Sequence, residues 1–396
     1  MNNSSVSSPF SDQELNEIRK KFPVTATDTI YLNHAAISPL SAPVVQSIQN
    51  RMKWRSQTEI DDFKRDLVVM DALRKKAAKL MHAESEHRIT FPSNTSQGLN
   101  IVASGLDWHN GDRILIPDYE FPANVYPFLS LESEGVEIDR LNNKDGRITP
   151  EMVEAALTPK IRMVAISAVQ FLNGFKADLK AIGEICQQHH AWFIVDGIQA
   201  LGAIQLDVQD LKIDALAAGG HKWLMGPQGF GILYLNEELQ DNIENQHIGW
   251  LSVEEPWDLF NTKQALNETA SRFELGTPNA NGAYGLHASL ELLLEIGPER
   301  IEKHIFSLTQ SLIGEFEEMD QVTLATPPEK EQRAGIVTIK LANDMDAEEL
   351  LKMMRAQNVT MAQRSGRLRF APHFYNTHEE VTEAADILKQ CISDLK

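Results

Sequence analysis

Trp192-Phe193-Ile194-Val195-Asp196 is an unbroken apolar run that stops on a carboxylate, and Gly197-Ile198-Gln199-Ala200 follows at once. Such a run reads as a buried strand with its acidic residue at the C-terminal tip. In open α/β sheets, ligands bind outside the carboxyl ends of the strands. Working outward, the same texture recurs on both sides. Arg113-Ile114-Leu115-Ile116-Pro117, Gly135-Val136-Glu137-Ile138-Asp139 and Met163-Val164-Ala165-Ile166-Ser167 are strand-like upstream, as are Ala215-Leu216-Ala217-Ala218 and Gly231-Ile232-Leu233-Tyr234-Leu235 downstream. Helical patterns separate them. Leu179 to His190 is amphipathic, and Thr149-Pro150-Glu151 supplies an N-cap and a first-turn proline. The alternation predicts an α/β fold, with a mostly parallel central sheet flanked by helices on both faces.

After Gly276-Thr277-Pro278 the texture changes. Leu286 to Ile296 reads as a helix ended by Gly297-Pro298, Gly335 to Ile339 as a strand, Ala347 to Gln357 as a helix and Leu368 to Phe370 as a short strand. Thr377-His378-Glu379-Glu380 has the form of a capping box opening a last helix. The expected division is an N-terminal segment, 1–38, that packs with the small domain; a large α/β domain, 39–276; and a small α+β C-terminal domain, 277–396.

The chain has 396 residues, 42% hydrophobic and 23% charged, enough to bury a sizeable core. Its net charge of −19 disfavours nucleic acid and anionic membrane as partners. Cys186 and Cys391 are the two cysteines, both in helix-like segments, so a disulfide framework is not expected. No uncharged stretch approaches a membrane span and no apolar signal core is visible, so a cytoplasmic location is expected. The stretch Met1 to Pro9 reads as disordered.

Chemistry concentrates downstream of Asp196. Gly220-His221-Lys222 follows the small residues Ala217-Ala218-Gly219 and precedes Gly226-Pro227-Gln228-Gly229-Phe230-Gly231. A lysine so placed, with a carboxylate at a neighbouring strand tip, suits pyridoxal 5'-phosphate (PLP). The lysine amine would form a Schiff base, and the carboxylate would pair with the protonated ring nitrogen and keep the ring an electron sink. Ser93-Asn94-Thr95-Ser96-Gln97-Gly98 sits between a strand-like segment and an apolar helix, where hydroxyls and backbone N–H groups make an anion site. Gln199 could reach a ring hydroxyl, and His221 could donate to a phosphate. Arg367 and Arg369 fall on one face of a strand, and an arginine reaching a cleft is a natural fork for a substrate carboxylate. Other cofactors fit poorly. Gly226 to Gly231 reverses the dinucleotide fingerprint, no Walker A loop exists, and the histidines lack zinc spacing.

Taken in order, these residues resemble the class V aminotransferases of PLP fold type I, a family that includes cysteine desulfurases and isopenicillin N epimerase-like proteins. The resemblance runs from Tyr31-Leu32-Asn33-His34-Ala35-Ala36 through Thr95-Ser96, Glu120-Phe121-Pro122-Ala123-Asn124, Asp196 to Ala200 and Gly220-His221-Lys222. It closes at Phe273 to Asn279 and Arg369 to Thr377. It implies Lys222 as Schiff-base lysine and proton shuttle, Asp196 at the ring nitrogen and Gln199 at the ring hydroxyl. Thr95, Ser96 and His221 would hold the phosphate, and Phe121 would stack on the ring. Arg369 would clamp the substrate carboxylate, with Asn33 and His34 nearby. Thr277 would reach the phosphate of a neighbouring subunit, which implies a homodimer with shared active sites.

Four departures shape the expected activity. Phe121 stands where many members stack a histidine, Gly219 where many have serine, and Phe171 where desulfurases place an asparagine. The segment Asn358 to Leu368, where desulfurases carry a mobile thiolate, contains no cysteine. The expectation is therefore an enzyme acting at the α-carbon of an amino acid or related small amine. An aminotransferase comes first, a lyase or epimerase is the alternative, and persulfide-forming cysteine desulfuration is excluded. A non-catalytic PLP-binding protein and a nicotinamide oxidoreductase fit less well.

Overall fold

A computed structural model describes residues 8–58, 60–143, 146–342 and 345–395. The part of the Met1 to Pro9 tail that precedes residue 8 lies outside them. A seven-stranded sheet forms the centre, in the order Ile89–Thr90, Gly231–Leu235, Ala215–Gly219, Trp192–Asp196, Ile161–Ser167, Arg113–Pro117, Glu137–Leu141. The five strands from Ala215–Gly219 to Glu137–Leu141 pair in parallel. Gly231–Leu235 runs antiparallel to both of its neighbours.

The apolar runs follow from this arrangement. Side chains alternate across a strand, and here each face has its own core. Phe193 and Val195 join one apolar cluster with Val164, Ile166 and Leu216. Ile194 joins the other with Met163, Ala165 and Ala217. A strand buried on both faces has no place for alternating polar residues until its tip, and Asp196 is that tip.

A second sheet carries the C-terminal part, in the order Ala362–Arg364, Arg367–Phe370, Val337–Leu341, Val322–Leu324. Its core gathers Val337, Ile339, Leu368 and Phe370 with helices Ala347–Ala356 and His378–Asp394. Ile30 and Leu32 belong to the same core, because Ile30–Tyr31 pairs in parallel with Val359–Thr360. The expected caps form. Thr149 accepts from the Met152 amide ahead of Pro150, and Thr377 and Glu380 complete a capping box. The two cores meet along helix Pro298–Glu317, whose Ile301 and Ile305 face the large core and Leu308 and Leu312 the small one.

Candidate active site

The site gathers at the carboxyl ends of the parallel strands. Asp196 is 1% exposed. Its Oδ1 accepts from the Ile198 amide at 2.9 Å, while its Oδ2 is buried with no partner. Leaving such an oxygen unpaired is costly, so the position is built for a donor from a ligand. Burial pushes the Asp196 carboxyl up to about 6, against the pull of the Ile198 amide and of Lys222.

Lys222 is 8% exposed and lies in the loop after strand Ala215–Gly219. Burial lowers its ammonium to about 8; Asp196 opposes the shift, and Arg369 and Arg364 add to it. Its amine lies 5.5 Å from the centre of the Phe121 ring, which Phe171 meets edge-on at 5.4 Å. Its backbone is fixed from the N-terminal segment: Ser38 donates its hydroxyl to the Lys222 carbonyl at 2.6 Å and its amide to the His221 carbonyl at 2.9 Å.

The residues expected to hold a phosphate are Thr95, Ser96 and His221. Thr95 opens helix Thr95–Gly105 behind the N-cap Asn94, whose side chain accepts from the Gln97 amide. The Thr95 hydroxyl accepts from the Gly219 amide at 3.0 Å, tying this helix start to the strand that leads into Lys222. Ser96 follows in the first turn. His221 is half-buried, and burial together with Lys222 lowers its basicity.

Arg369 is 2% exposed, on strand Arg367–Phe370. It donates to the Phe171 carbonyl at 2.7 Å, and its Nε is buried and unpartnered. Burial and the neighbouring Arg364 both disfavour its charge, which an anion in the cleft would relieve.

Other expected residues are more fully engaged. Gln199 donates to the Ala35 carbonyl at 3.0 Å and accepts from the Trp223 indole at 2.9 Å, leaving one amide hydrogen and one carbonyl lone pair free. His34 is fully buried and uses both ring nitrogens, on the Ala371 carbonyl and the Tyr375 hydroxyl. It therefore braces the segment that bears Asn33, whose Oδ1 is buried and unpartnered. Thr277 is exposed in a separate pocket with Arg51, Arg55 and Tyr284. Sequence reasoning missed the contributions of Glu120, Ser167 and Arg364, which depend on contacts between distant segments. The only local signal was the charge of Glu120 beside Phe121 and of Arg364 ahead of Arg369.

The residues present fit PLP. Asp196 Oδ2 offers an acceptor to a ring N–H, Lys222 a partly deprotonated amine, and Thr95, Ser96 and His221 a cluster of donors for a phosphate.

A family model for aminotransferase class-V matches residues 30–383. The chain belongs to the class V aminotransferase family. This membership makes it a PLP-dependent class V enzyme with PLP as cofactor. The chain is 28% identical to a probable cysteine desulfurase of Methanothermobacter thermautotrophicus, over 94% of this chain and 97% of that protein. The solved apo cysteine desulfurase of Thermococcus onnurineus NA1 superimposes with a TM-score of 0.87 at 26% identity, covering 98% of this chain and 100% of the other. A C-DES variant with glycine covalently linked to PLP shares the fold at a TM-score of 0.86 and 23% identity, over 93% and 98% of the two chains.

These likenesses correct one expectation. The missing cysteine between Asn358 and Leu368 was read as excluding cysteine desulfuration, yet several relatives similar over nearly the whole chain bear that name. The error lies in the inference drawn from one loop. A thiol there concerns where sulfur goes, whereas breaking the carbon–sulfur bond calls on the electron sink that the cofactor supplies. The ranking of aminotransfer first is withdrawn with that exclusion.

Proposed function

We propose that this class V enzyme acts on a small sulfur-bearing amino acid, with cysteine the first candidate, and removes its sulfur. Reaction with a thiol RSH then balances as cysteine + RSH → alanine + RSSH. The observation that carries the reading is the buried triad of Asp196, with one oxygen waiting for a partner, Lys222 and Arg369. The names of the relatives point to cysteine within that chemistry.

Bound PLP supplies an electron sink for the bond broken on the amino acid. The remaining roles belong to the chain. Asp196 holds the ring nitrogen, and Gln199 gives its free amide hydrogen to the ring hydroxyl. Thr95, Ser96 and His221 take the phosphate, joined by Thr277 from a second copy in a homodimer. Arg369 binds the substrate carboxylate through the guanidinium edge that includes its unpartnered Nε, with Asn33 beside it. Phe121, which stands beside the Lys222 amine, stacks on the ring, with Phe171 edge-on to it. Lys222 Nζ, with its proton affinity lowered by burial, carries the proton between substrate carbons.

Both cysteines are buried, and burial pushes the Cys186 thiol up to about 12, so the test supplies dithiothreitol as acceptor. Purified holoenzyme with cysteine and dithiothreitol should form alanine and sulfide in equal amounts. Lys222→Ala should abolish steady turnover. Pyruvate and ammonia in place of alanine would show elimination instead, and a protein inert towards cysteine would refute the proposal.

A further inference from the structure

The roles above leave one buried acid unused. Glu120 is 8% exposed. Its Oε1 accepts from the Ser167 amide at 2.8 Å and its Oε2 from the Ser167 hydroxyl at 2.5 Å. Ser167 ends strand Ile161–Ser167 and stands in register with Asp196 on the next strand. The Ala168 amide then donates to the Asp196 carbonyl at 3.0 Å. Glu120 is thus anchored on the strand tip that adjoins the tip bearing Asp196. Glu120 also directly precedes Phe121, whose ring faces the Lys222 amine.

We infer that Glu120 is a positioning residue of the cofactor seat: anchored on Ser167, it sets Phe121 over Lys222 and stands as a second acid behind Asp196, holding the proton on the ring nitrogen. It acts through Asp196 and Phe121, with no contact to substrate. The inference rests on the ring nitrogen being seated at Asp196, and is independent of cysteine as the substrate.

The surrounding charges set the sign. Asp196 and Ser167 face Glu120 from the two strand tips, and Asn124 from the turn after Phe121, near enough to lower its proton affinity without completing a hydrogen bond. Beyond Asp196 lies Lys222, which feels Arg369 and Arg364. Burial pushes the Glu120 carboxyl up to about 7; the Ser167 bonds oppose the shift and Asp196 adds to it. Glu120 is therefore neutral in mild acid and becomes charged near neutrality. A second negative charge beside Asp196 favours the protonated ring, so removing it should let the ring lose its proton at lower pH.

The test is the nitrogen chemical shift of holoenzyme carrying PLP labelled with nitrogen-15 in its ring, followed against pH with no substrate. Glu120→Gln keeps the size and can still accept from the Ser167 amide, with the Ser167 hydroxyl turned to accept from its Nε2, and it removes the charge; it also serves where Glu120→Ala fails to fold. Its ring-nitrogen midpoint should fall by about one pH unit relative to wild type. A purely structural role would loosen PLP and leave the midpoint in place, so an unmoved midpoint in Glu120→Gln overturns the inference. A wild-type ring unprotonated at neutral pH, or one indifferent to Asp196→Asn, would show the Asp196 seat itself to be wrong and the inference with it.

Discussion

An ammonium cannot attack an aldehyde; only the neutral amine can. With Lys222 held at about 8, its reactive fraction climbs steeply across the neutral range. Capture of PLP by the apo protein should speed up about tenfold per pH unit up to roughly pH 8 and then level off, as followed by stopped-flow absorbance. Asp196 raises the Lys222 value, so Asp196→Asn should move that plateau to lower pH even as it weakens retention of the cofactor. Arg369→Ala should raise KM for the amino acid by about 10- to 100-fold, the equivalent of a lost charge-assisted fork. Arg369→Lys should recover only part of it, because an ammonium can bond to the Phe171 carbonyl but cannot present two parallel donors. Lys222 and Asp196 were legible because each borders a run of apolar or small residues that fixes its place. Glu120 was not, because its carboxyl acquires meaning only from Ser167, on another strand.

Between elements, the link that matters runs from the small sheet to three consecutive carbonyls of the large domain. Arg369 donates to Phe171, Thr338 to Leu172 at 2.8 Å and Thr326 to Asn173 at 2.8 Å. Thr338 is fully buried, so Thr338→Val keeps its shape and orphans the Leu172 carbonyl. It should cost about 1–3 kcal/mol in thermal or urea unfolding. It should also raise KM, because the arginine strand and the Phe171 turn lose a shared fastening. The strand and helix alternation was readable from periodicity, but edges and order were not. The strand read as Gly335 to Ile339 forms at Val337–Leu341, since Gly335 instead packs against the Trp223 ring, 2.4 Å from where a Cβ would stand. Likewise the strand read as Gly135 to Asp139 forms at Glu137–Leu141, after Gly135 takes up a left-handed turn. The antiparallel return of Gly231–Leu235 has no signature in composition, because a strand buried on both faces looks alike in either direction.

Across the whole molecule, buried histidines set the acid limit. His373 stays neutral in the fold down to about pH 3 and His304 to about 4, chiefly through burial, and burial holds His34 well below its ordinary value. An unfolded imidazole takes its proton near 6.5, so between that pH and the folded midpoint acid favours the unfolded chain. Each such group should cost about 1.4 kcal/mol per pH unit over that window. Replacing His373 by Asn should therefore flatten the fall of Tm between pH 6.5 and 4, even if it lowers Tm at neutral pH. Among the described residues no helix is long and apolar enough to cross a membrane.

The clasp of Ser38 on the His221 and Lys222 carbonyls has a consequence for the order in which the molecule is made. Residues Ile30 and Tyr31, just ahead of it, are held by Val359 and Thr360, and Asn33 by Ala371, all translated long after it. This early segment therefore waits for one made much later before it can settle. Until then the lysine loop lacks its brace, and a nascent chain can fold its central sheet without being able to seize PLP. Cofactor loading becomes an event that follows synthesis of these later residues, and a ribosome stalled short of Val359 should carry a folded but colourless central sheet.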